Sequence, residues 1–577
     1  MPRLLRALLV APLLVSACAS SDGAATSNAA LTSLPEAAVA ADLDFLGEQV
    51  RQLYAPLAAK QAAGFDLDAE LTKAHGAIHA ATDDGGRIGA IHAFVASLHD
   101  SGFLLTDATF HGENATDSTL PLAFRAAEGK YVTVSASAPS TIGDVLVAID
   151  GVPIADLATS LAPLVNAGLP DVQTASIATM LVRRSFWVPA SLRPTGSKAH
   201  VDLLHADGTP VAIDVLWSHG TTLDEAVALA LLPDDPADTA GTAPTPATTP
   251  EPAPTPAPAY DPVALGTPRP EWWTFAVANA LHPDVVAPSK AALDAIGPTL
   301  AGFQDATDNA PHALRFMEAG KAIVVVRIPN LRLQGDDAAS AVDWVGTLLR
   351  EQKPDAVVLD VTSQSGGFQA YLAGLASLFL TAPIPNTLFA YHADRQNLAT
   401  LASATQHGAT PAAKTFYGNL ALDLERAFDA SQPLGPFTPL VGLSSGTGIT
   451  VSDAAIYGAK TIAPNPRATY TGPVLVLANE RTSGVPEALA LALQSAGVAK
   501  TFGTTTAGAG SITGYVELPA TQTHLWIPRS LLAVGTTQLQ DRGVTPDFPH
   551  LRTLADVRTS YLGFVTSFLQ TASSFPR

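Results

Sequence analysis

Apolar residues recur at helical spacing in the first part of the chain that has a regular pattern. In "DLDFLGEQVRQLYAPL", four apolar residues between positions 43 and 53 follow one another at intervals of three or four. This spacing predicts an amphipathic helix. Comparable patterns predict helices over 67–82 and 86–98. We therefore interpret residues 39–112 as an N-terminal helical region.

Residues 119–216 change to short runs in which apolar and polar residues alternate, which is typical of strands. Within them, "IGDVLVAIDGVPIADL" (142–157) carries an Asp-Gly pair between two apolar runs, and this predicts a tight hairpin. The segment resembles the strand–turn segment of a PDZ domain. We interpret residues 113–218 as a PDZ-like β domain, and the alternative is another small β-rich domain with an Asp-Gly hairpin.

A segment rich in Pro, Ala and Thr follows, and we interpret residues 219–268 as an extended linker. Beyond it, Val- and Leu-rich runs alternate with helical patterns, so residues 269–577 are predicted to form an α/β core. Continuous apolar strands predict a sheet covered on both faces. The predicted strands are 321–330, 355–361 and 472–480, and the predicted helices are 336–352, 371–380 and 486–496.

Composition narrows the function classes. The chain has 577 residues, enough for two or three packed domains, and a formal net charge of −20. Because such a chain repels phosphate backbones, nucleic acid is not an expected partner. The sequence has no cluster of cysteines and no phosphate-binding lysine motif. We therefore expect neither a metal site nor a cofactor.

The N-terminus has the pattern of an export signal. Arg3 and Arg6 precede an apolar stretch, and "VSAC" ends at Cys18, the one cysteine of the chain. This resembles a bacterial lipobox, so residues 1–18 are predicted to be a lipoprotein signal peptide and 19–38 a flexible tether. The prediction is a periplasm-facing lipoprotein of the cell envelope, held at the outer membrane by a lipid on Cys18. The alternative is an ordinary signal peptide with a chance cysteine.

Four segments, taken in order, resemble the tail-specific, or C-terminal-processing, serine peptidase family. That family includes the tricorn core protease and the repeats of interphotoreceptor retinoid-binding protein. The resemblance implies a Clp-protease/crotonase-like spiral α/β core, with a helical N-terminal region and a PDZ domain. The segments are "SLHDSGFLL" (97–105), "VVLDVTSQSGG" (357–367), "LANERTSGVPEALALALQSAG" (477–497) with "FGTTTAGAGS" (502–511), and "LQDRGVTPDF" (539–548).

The resemblance also implies where a nucleophile would lie. Glu487 matches a family glutamate, and the nucleophile position three residues earlier is Gly484. Ser483 stands one place early, so it would be a nucleophile only if the turn is rebuilt. The alternative is that Ser483 or Thr482 caps the helix, with Pro486 in the first turn.

The other family positions are also replaced. The lysine position holds Ala509 and its neighbouring glutamate position holds Thr504. The histidine position of the tricorn branch falls on Gly102, and the supporting glutamate position holds Gln540. His99 lies three residues before Gly102 and is the remaining imidazole that could serve Ser483.

The segment that resembles the family's oxyanion hole is altered as well. Asp360, Gly366 and Gly367 remain, but the arginine and asparagine positions hold Thr362 and Gln364. The backbone N–H groups near the two glycines could point into a cleft. Alternatively, the glycines allow close packing at a strand–helix turn.

These losses predict a catalytically degenerate family member. The first hypothesis is a binding protein for unfolded or C-terminal polypeptide segments, which would use the cleft and the PDZ-like groove. The second is an active serine endopeptidase that uses Ser483 as nucleophile. The third is binding of a small apolar ligand in a remodelled cleft, which the retinoid-binding relatives imply.

Overall fold

The computed structural model describes most of the chain from residue 34 onward, and these residues belong to one compact unit, Leu34–Arg577. The predicted signal peptide, most of the tether and the predicted linker lie outside the described residues. The described residues are 34–107, 120, 122–134, 139–182, 196–217, 311–328, 331, 333, 335–407, 411–439, 458–466, 469–521, 523–559 and 561–576.

Thirteen α-helices lie in this described part of the chain. None of them is long and apolar enough to cross a membrane. They are α1 Glu36–Leu53, α2 Leu57–Ala62, α3 Leu67–Ala80, α4 Asp84–Ser97, α5 Ile154–Leu161, α6 Pro170–Met180, α7 Gly335–Gln352, α8 Gln369–Ser377, α9 Arg395–His407, α10 Pro411–Asp429, α11 Val485–Ser495, α12 Leu554–Arg558 and α13 Leu562–Ser574.

The strands among the described residues form five sheets, ordered β1-β18-β17, β21-β16-β15-β10-β9-β8, β11-β14, β13-β12-β19-β20 and β2-β3-β4-β6-β7, with β5 paired to β4. They are β1 Leu104–Asp107, β2 Phe124–Ala127, β3 Lys130–Thr133, β4 Val145–Ile149, β5 Val152–Pro153, β6 Lys198–Leu204, β7 Pro210–Leu216, β8 His312–Glu318, β9 Lys321–Arg327, β10 Ala356–Asp360, β11 Ile384–Pro385, β12 Thr387–Tyr391, β13 Thr438–Pro439, β14 Thr461–Ile462, β15 Val474–Ala478, β16 Ala499–Gly503, β17 Thr513–Glu517, β18 Thr523–Pro528, β19 Ser530–Val534, β20 Thr537–Gln538 and β21 Phe548–Pro549.

The central sheet, with β15 and β10 in its middle, carries the core. Strands β9, β10, β15 and β16 run parallel. Because side chains alternate along a strand, Val357 and Leu359 pack under α7, α8 and α11, whereas Val358 packs on the opposite side against α13. The predicted α/β class and the sheet covered on both faces are confirmed. The predicted core strands and helices lie within a few residues of their expected bounds.

The N-terminal helices cover a different sheet. Side chains of α1, α3 and α4 form one apolar cluster with Val516, Leu518, Leu525 and Ile527 on and beside β17 and β18. Helices α3 and α4 begin at aspartate caps, which satisfy backbone N–H groups of the first turn. The helical region therefore holds the strands that follow the loop at 504–511.

The β-rich region contains the predicted hairpin. Asp150 and Gly151 both have positive φ, 50° and 75°, as a tight turn between β4 and β5 requires. Helices α5 and α6 lie within residues 119–216, for which the sequence pattern predicted strands, so that prediction is wrong over Ile154–Leu161 and Pro170–Met180.

Two arginines fix this β-rich region against the core. Arg552 donates from Nη1 to the carbonyl of Ala126 on β2 and from Nη2 to Glu480 Oε1, both at 3.0 Å. Arg481 donates to Thr179 Oγ1 on α6 at 3.1 Å. Glu480 and Arg481 directly precede the turn that contains Ser483. The β-rich region is thus joined to that turn.

Substitution Phe568→Ala is expected to destabilise the protein by about 3–5 kcal/mol, because Phe568 is fully buried between α13 and the central sheet. Denaturant unfolding followed by circular dichroism measures the change. Leu551→Ala is the control, since this side chain is 65% exposed and should change stability by less than about 0.5 kcal/mol. A loss below about 1 kcal/mol for Phe568→Ala would contradict the packing described.

Candidate functional site

The turn between β15 and α11 keeps a conformation that few residues adopt. Gly484 is the N-cap of α11, with φ 69° and ψ −122°. Non-glycine residues enter this region only under strain. The backbone change of direction therefore occurs at Gly484, one residue after Ser483.

The prediction that Ser483 or Thr482 caps α11 is wrong. The Thr482 hydroxyl donates to the Val361 carbonyl at 3.1 Å and accepts from the Asn479 N–H at 3.0 Å, so it holds the turn instead. The Ser483 N–H donates to the Gln364 carbonyl at 2.8 Å. No hydrogen bond of the Ser483 hydroxyl is found among the described residues.

The predicted family positions meet in space. A β-carbon at Gly484 would lie 3.3 Å from the Gly366 nitrogen and 3.9 Å from the Ala509 carbonyl oxygen. A β-carbon at Gly102 would lie 3.7 Å from the Ala509 Cα. The positions of nucleophile, lysine and histidine thus surround one place. Each of them holds glycine or alanine, so none of these three residues brings a hydroxyl or a base to that place. We name the place between these three positions the Gly484 cleft.

Glu487 joins the two walls of the Gly484 cleft. Its carboxylate is fully buried and accepts the N–H of Gly508 at 2.7 Å and the N–H of Gly484 at 3.3 Å. It also accepts the hydroxyl of Thr506. Burial raises the pKa of Glu487 to about 7, although these hydrogen bonds oppose the shift. The carboxyl group thereby ties the loop at 506–509 to the start of α11.

The two glycines of the oxyanion-like segment have different roles. Gly367 has φ 116°, and a β-carbon there would lie 2.6 Å from Leu331 atoms, so it allows close packing. Gly366 is exposed and its nitrogen faces the Gly484 position. No acceptor for the Gly366 N–H is found among the described residues. Gly367 therefore fits the close-packing interpretation, whereas Gly366 fits the interpretation of an N–H group available to a cleft.

Thr362, which stands at the family's arginine position, is contacted by an arginine from a neighbouring strand. Asp360 accepts the Thr362 hydroxyl at 2.7 Å and the Arg327 guanidinium at 2.9 Å. Arg327 also donates to the Thr362 carbonyl at 3.0 Å. Arg327 comes from the neighbouring strand β9, which local sequence comparison could not reveal. The segment leading to Gly366 thus keeps a cationic support.

A buried carboxyl group that the sequence did not single out lies beside Gly102. Asp100 accepts the Gly102 N–H at 2.8 Å, the Tyr54 hydroxyl at 2.6 Å and the Gln540 amide at 2.6 Å. Burial and the nearby charge of Asp541 raise the pKa of Asp100 to about 6. Gln540, at the supporting-glutamate position, therefore holds Asp100 rather than an imidazole.

The Asp100 cluster is completed by an ion pair. Lys60 of α2 pairs with Asp541, which follows Gln540. The Ser511 hydroxyl, 3.1 Å from a β-carbon at Gly102, is buried without a partner among the described residues. The sequence signal for Asp100 was the "HDSG" run that contains it, but its side-chain partners Tyr54 and Gln540 lie 46 and 440 residues away in sequence.

His99, the candidate base for Ser483, makes no hydrogen bond to that residue in the described part of the chain. His99 is exposed, and its imidazole takes part in no hydrogen bond or ion pair among the described residues. His75 and His79 have the i, i+4 spacing of helical metal ligands, but they pair with Asp44 and Glu36, each at 2.9 Å. The described residues contain no group of three or more metal-ligating side chains placed to hold an ion.

Comparison with known proteins follows this geometry. Residues 322–550 match the sequence model of peptidase family S41. The structure of mature CPAF complexed with lactacystin is similar at a TM-score of 0.65 and 16% identity, covering 93% of this chain and 98% of that one. Mature CPAF alone is similar at a TM-score of 0.65 and 16% identity, covering 93% of this chain and 96% of that one. The photosystem II D1 C-terminal processing protease matches at a TM-score of 0.37 and 14% identity, covering 91% of this chain and 97% of that one. No curated protein sequence matches the chain.

Residues 322–550 therefore form a peptidase family S41 domain. The family resemblance is confirmed for the three of the four sequence segments that lie within residues 322–550. The likeness to CPAF extends the shared fold to the helical and β-rich regions, since it covers 93% of the chain.

Glu487 should make stability depend on pH. Because its pKa rises to about 7 in the folded state, the folded state binds more protons, and stability should fall as pH rises from about 4.5 to about 7. The fall from this group is about 3 kcal/mol. Asp100 contributes in the same direction.

Thermal or denaturant unfolding between pH 4.5 and pH 7.5 measures the effect. Glu487→Gln should flatten the slope, whereas Glu48→Gln, a change at an exposed carboxylate, should leave it unaltered. Parallel slopes for the parent and Glu487→Gln would show that Glu487 titrates at the same pH in the folded and unfolded chains.

Proposed function

We propose that this protein is a catalytically degenerate S41 family member that binds polypeptide segments in the Gly484 cleft. The observation that carries the proposal is that Gly484 approaches both the Gly366 nitrogen and Ala509, and that Gly102 approaches Ala509 from another segment. The backbone segments that would carry the reactive residues of a peptidase lie together, but they carry glycine and alanine at those positions.

Hydrolysis by a serine peptidase needs an activated hydroxyl, a base and donors for the developing oxyanion. Only the donor, the Gly366 N–H, is supported by the geometry. Removing triad members costs on the order of 10⁴ or more in rate. Binding is the function that remains when the donor and the cleft persist.

The alternative, an active endopeptidase with Ser483 as nucleophile, has weaker support. The Ser483 backbone is held by Gln364 at a position before the change of direction at Gly484. The His99 imidazole, its candidate base, is exposed and makes no contact with the turn among the described hydrogen bonds and ion pairs.

Within the β-rich region, the strand edge that a PDZ-like groove would offer is occupied at two carbonyls. The Val134 N–H donates to the Ala123 carbonyl, so in the register of β2 and β3 the carbonyl groups of Phe124 and Ala126 point away from β3. Arg125 donates to the Phe124 carbonyl at 2.8 Å, and Arg552 donates to that of Ala126. We therefore assign polypeptide binding to the Gly484 cleft rather than to this edge.

We also propose that the protein is an envelope lipoprotein anchored through Cys18, facing the periplasm at the outer membrane. The proposal rests on the sequence alone: two arginines, an apolar stretch and "VSAC" before a lone cysteine. Such a location would bring the cleft to exported or unfolded envelope polypeptides.

Proteolysis and binding of reduced, alkylated casein by the purified full chain test the function. We expect no cleavage between pH 5 and pH 9 by the parent, Ser483→Ala or His99→Ala, and equal casein binding by all three. Cleavage that disappears in Ser483→Ala would establish the endopeptidase instead. Absence of both cleavage and binding would overturn the binding proposal.

Labelling of cells with an alkyne-tagged fatty acid tests the anchor. The parent should be labelled and found with membranes, because a diacylated N-terminal cysteine gives stable anchoring. Cys18→Ser should lose the label and leave the membrane fraction, whereas Ser20→Ala should behave as the parent does. An unlabelled parent would mean that Cys18 lies in an ordinary signal peptide.

A further inference from the structure

One face of the sheet β1-β18-β17 presents aromatic side chains to solvent. Because side chains alternate along a strand, Val516 packs into the apolar cluster with the N-terminal helices, whereas Tyr515 and Glu517 lie on the other face. Tyr515 is 44% exposed. Its direct neighbour across the ladder is Trp526, and that of Glu517 is His524, so all four side chains share this outer face.

Two rings on this face are steeply inclined to the ring of Tyr515. The Tyr515 and Trp526 ring centroids are 5.4 Å apart at an interplanar angle of 66°, and those of Tyr515 and His524 are 5.3 Å apart at 69°. The face of an aromatic ring carries negative partial charge, so a cation within about 6 Å of the ring centroid is attracted to it. A cluster of inclined rings offers such faces from more than one side, and the ligand class that it favours is an organic cation.

A carboxylate beside the rings points to the same class of ligand. Glu517 Oε2 accepts the Tyr515 hydroxyl at 3.1 Å and lies 3.9 Å from His524 Nε2. Glu517 Oε1 takes part in no hydrogen bond or ion pair among the described residues. The side chain is 49% exposed, so a cation can reach it from solvent. The hydrogen bond from Tyr515 thus holds a counter-ion next to the ring while one of its oxygen atoms stays available.

The charge around this sheet also favours a cationic ligand. The chain has a formal net charge of −20, which attracts cations to its surface. Arg529 directly follows β18, but a β-carbon at Gly514, on the opposite face from Tyr515, would meet its side chain. The Arg529 guanidinium donates to Asp394 at 3.0 Å. Its charge is therefore compensated away from the aromatic face.

The aromatic face lies close to the Gly484 cleft along the chain. Tyr515 follows Ala509, one of the positions around the cleft, by six residues, which span at most about 20 Å. A polypeptide in the cleft would therefore reach the rings with about six extended residues of its own. Arginine and lysine carry their charge on a long apolar stem, which packs against aromatic surface while the charged end meets a carboxylate.

We propose that Tyr515, Trp526, His524 and Glu517 form a binding site for the cationic side chain of an arginine or lysine in a bound polypeptide. We name it the Tyr515 site. The inference rests on the proposed polypeptide-binding function and specifies a residue type that the bound segment carries. The guanidinium or ammonium group lies against the rings with Glu517 as its counter-ion, and no covalent bond is formed or broken.

Two pools of random dodecapeptides, labelled with fluorescein at the N-terminus, test this with the full chain by fluorescence anisotropy. One pool carries arginine at two fixed positions, the other carries its neutral isostere citrulline there, and both otherwise lack basic residues. The arginine pool should be bound at least about threefold more tightly, as a cation–π contact with an exposed counter-ion predicts. Equal binding of the two pools would overturn the Tyr515 site and leave polypeptide binding intact. Binding of neither pool would overturn both.

Matched variants separate the site from general attraction to an acidic chain. Tyr515→Leu removes the ring and Glu517→Gln removes the charge, and each should lower the arginine preference at least about twofold. Tyr515→Phe keeps the ring and should keep most of the preference. Phe428→Leu, at an aromatic residue that is 37% exposed, and Glu48→Gln, at an exposed carboxylate, are the controls and should bind as the parent does. A preference that persists unchanged in both Tyr515→Leu and Glu517→Gln would overturn the proposal.

Discussion

The buried carboxyl group of Glu487 is the interaction on which the site depends. It bonds the start of α11 and the loop at 506–509 at the same time, so the cleft keeps its shape without help from catalytic side chains. Burying a carboxyl group is costly unless its oxygen atoms are satisfied. Here the hydrogen bonds offset part of that cost. The part that they do not offset raises the pKa of Glu487. The glutamate that identified the nucleophile position in the sequence is thus a structural residue of the turn.

This explains how positions 102, 484 and 509 stay close together although they hold only glycine and alanine. The backbone at Gly484 and Gly366 is fixed by Glu487, Thr482 and the packing of Gly367 on Leu331. These contacts do not involve side chains at positions 102, 484 and 509, so small residues at those positions leave the surrounding backbone in place. Asp100, held by Tyr54 and Gln540, supports the wall near Gly102 in the same way.

Much of the core was predictable, because its strands are continuous apolar runs and its helices have regular spacing. The register from Glu487 to Gly484 was also predictable, since no gap interrupts that helix. The absence of a cap from Thr482 was not predictable, because its hydroxyl is held by Asn479 of the same turn and by the carbonyl of Val361, which is 121 residues away in sequence. Likewise, the support of Asp360 by Arg327 and of Asp100 by Tyr54 arises only when distant strands and helices meet. Helix α6 was missed because its apolar residues do not form one stripe.

The positive φ of Gly484 also bears on the history of such a site. Any other residue in this conformation would store about 1–3 kcal/mol of backbone strain. A chain that no longer needs a hydroxyl there gains stability by accepting glycine, so loss of chemistry and gain of stability coincide in one substitution. The return path is therefore uphill: a serine restored at this turn would be disfavoured in folding until a base arose to make it useful. Under the proposed binding function, this difference in backbone strain would favour retention of glycine at position 484.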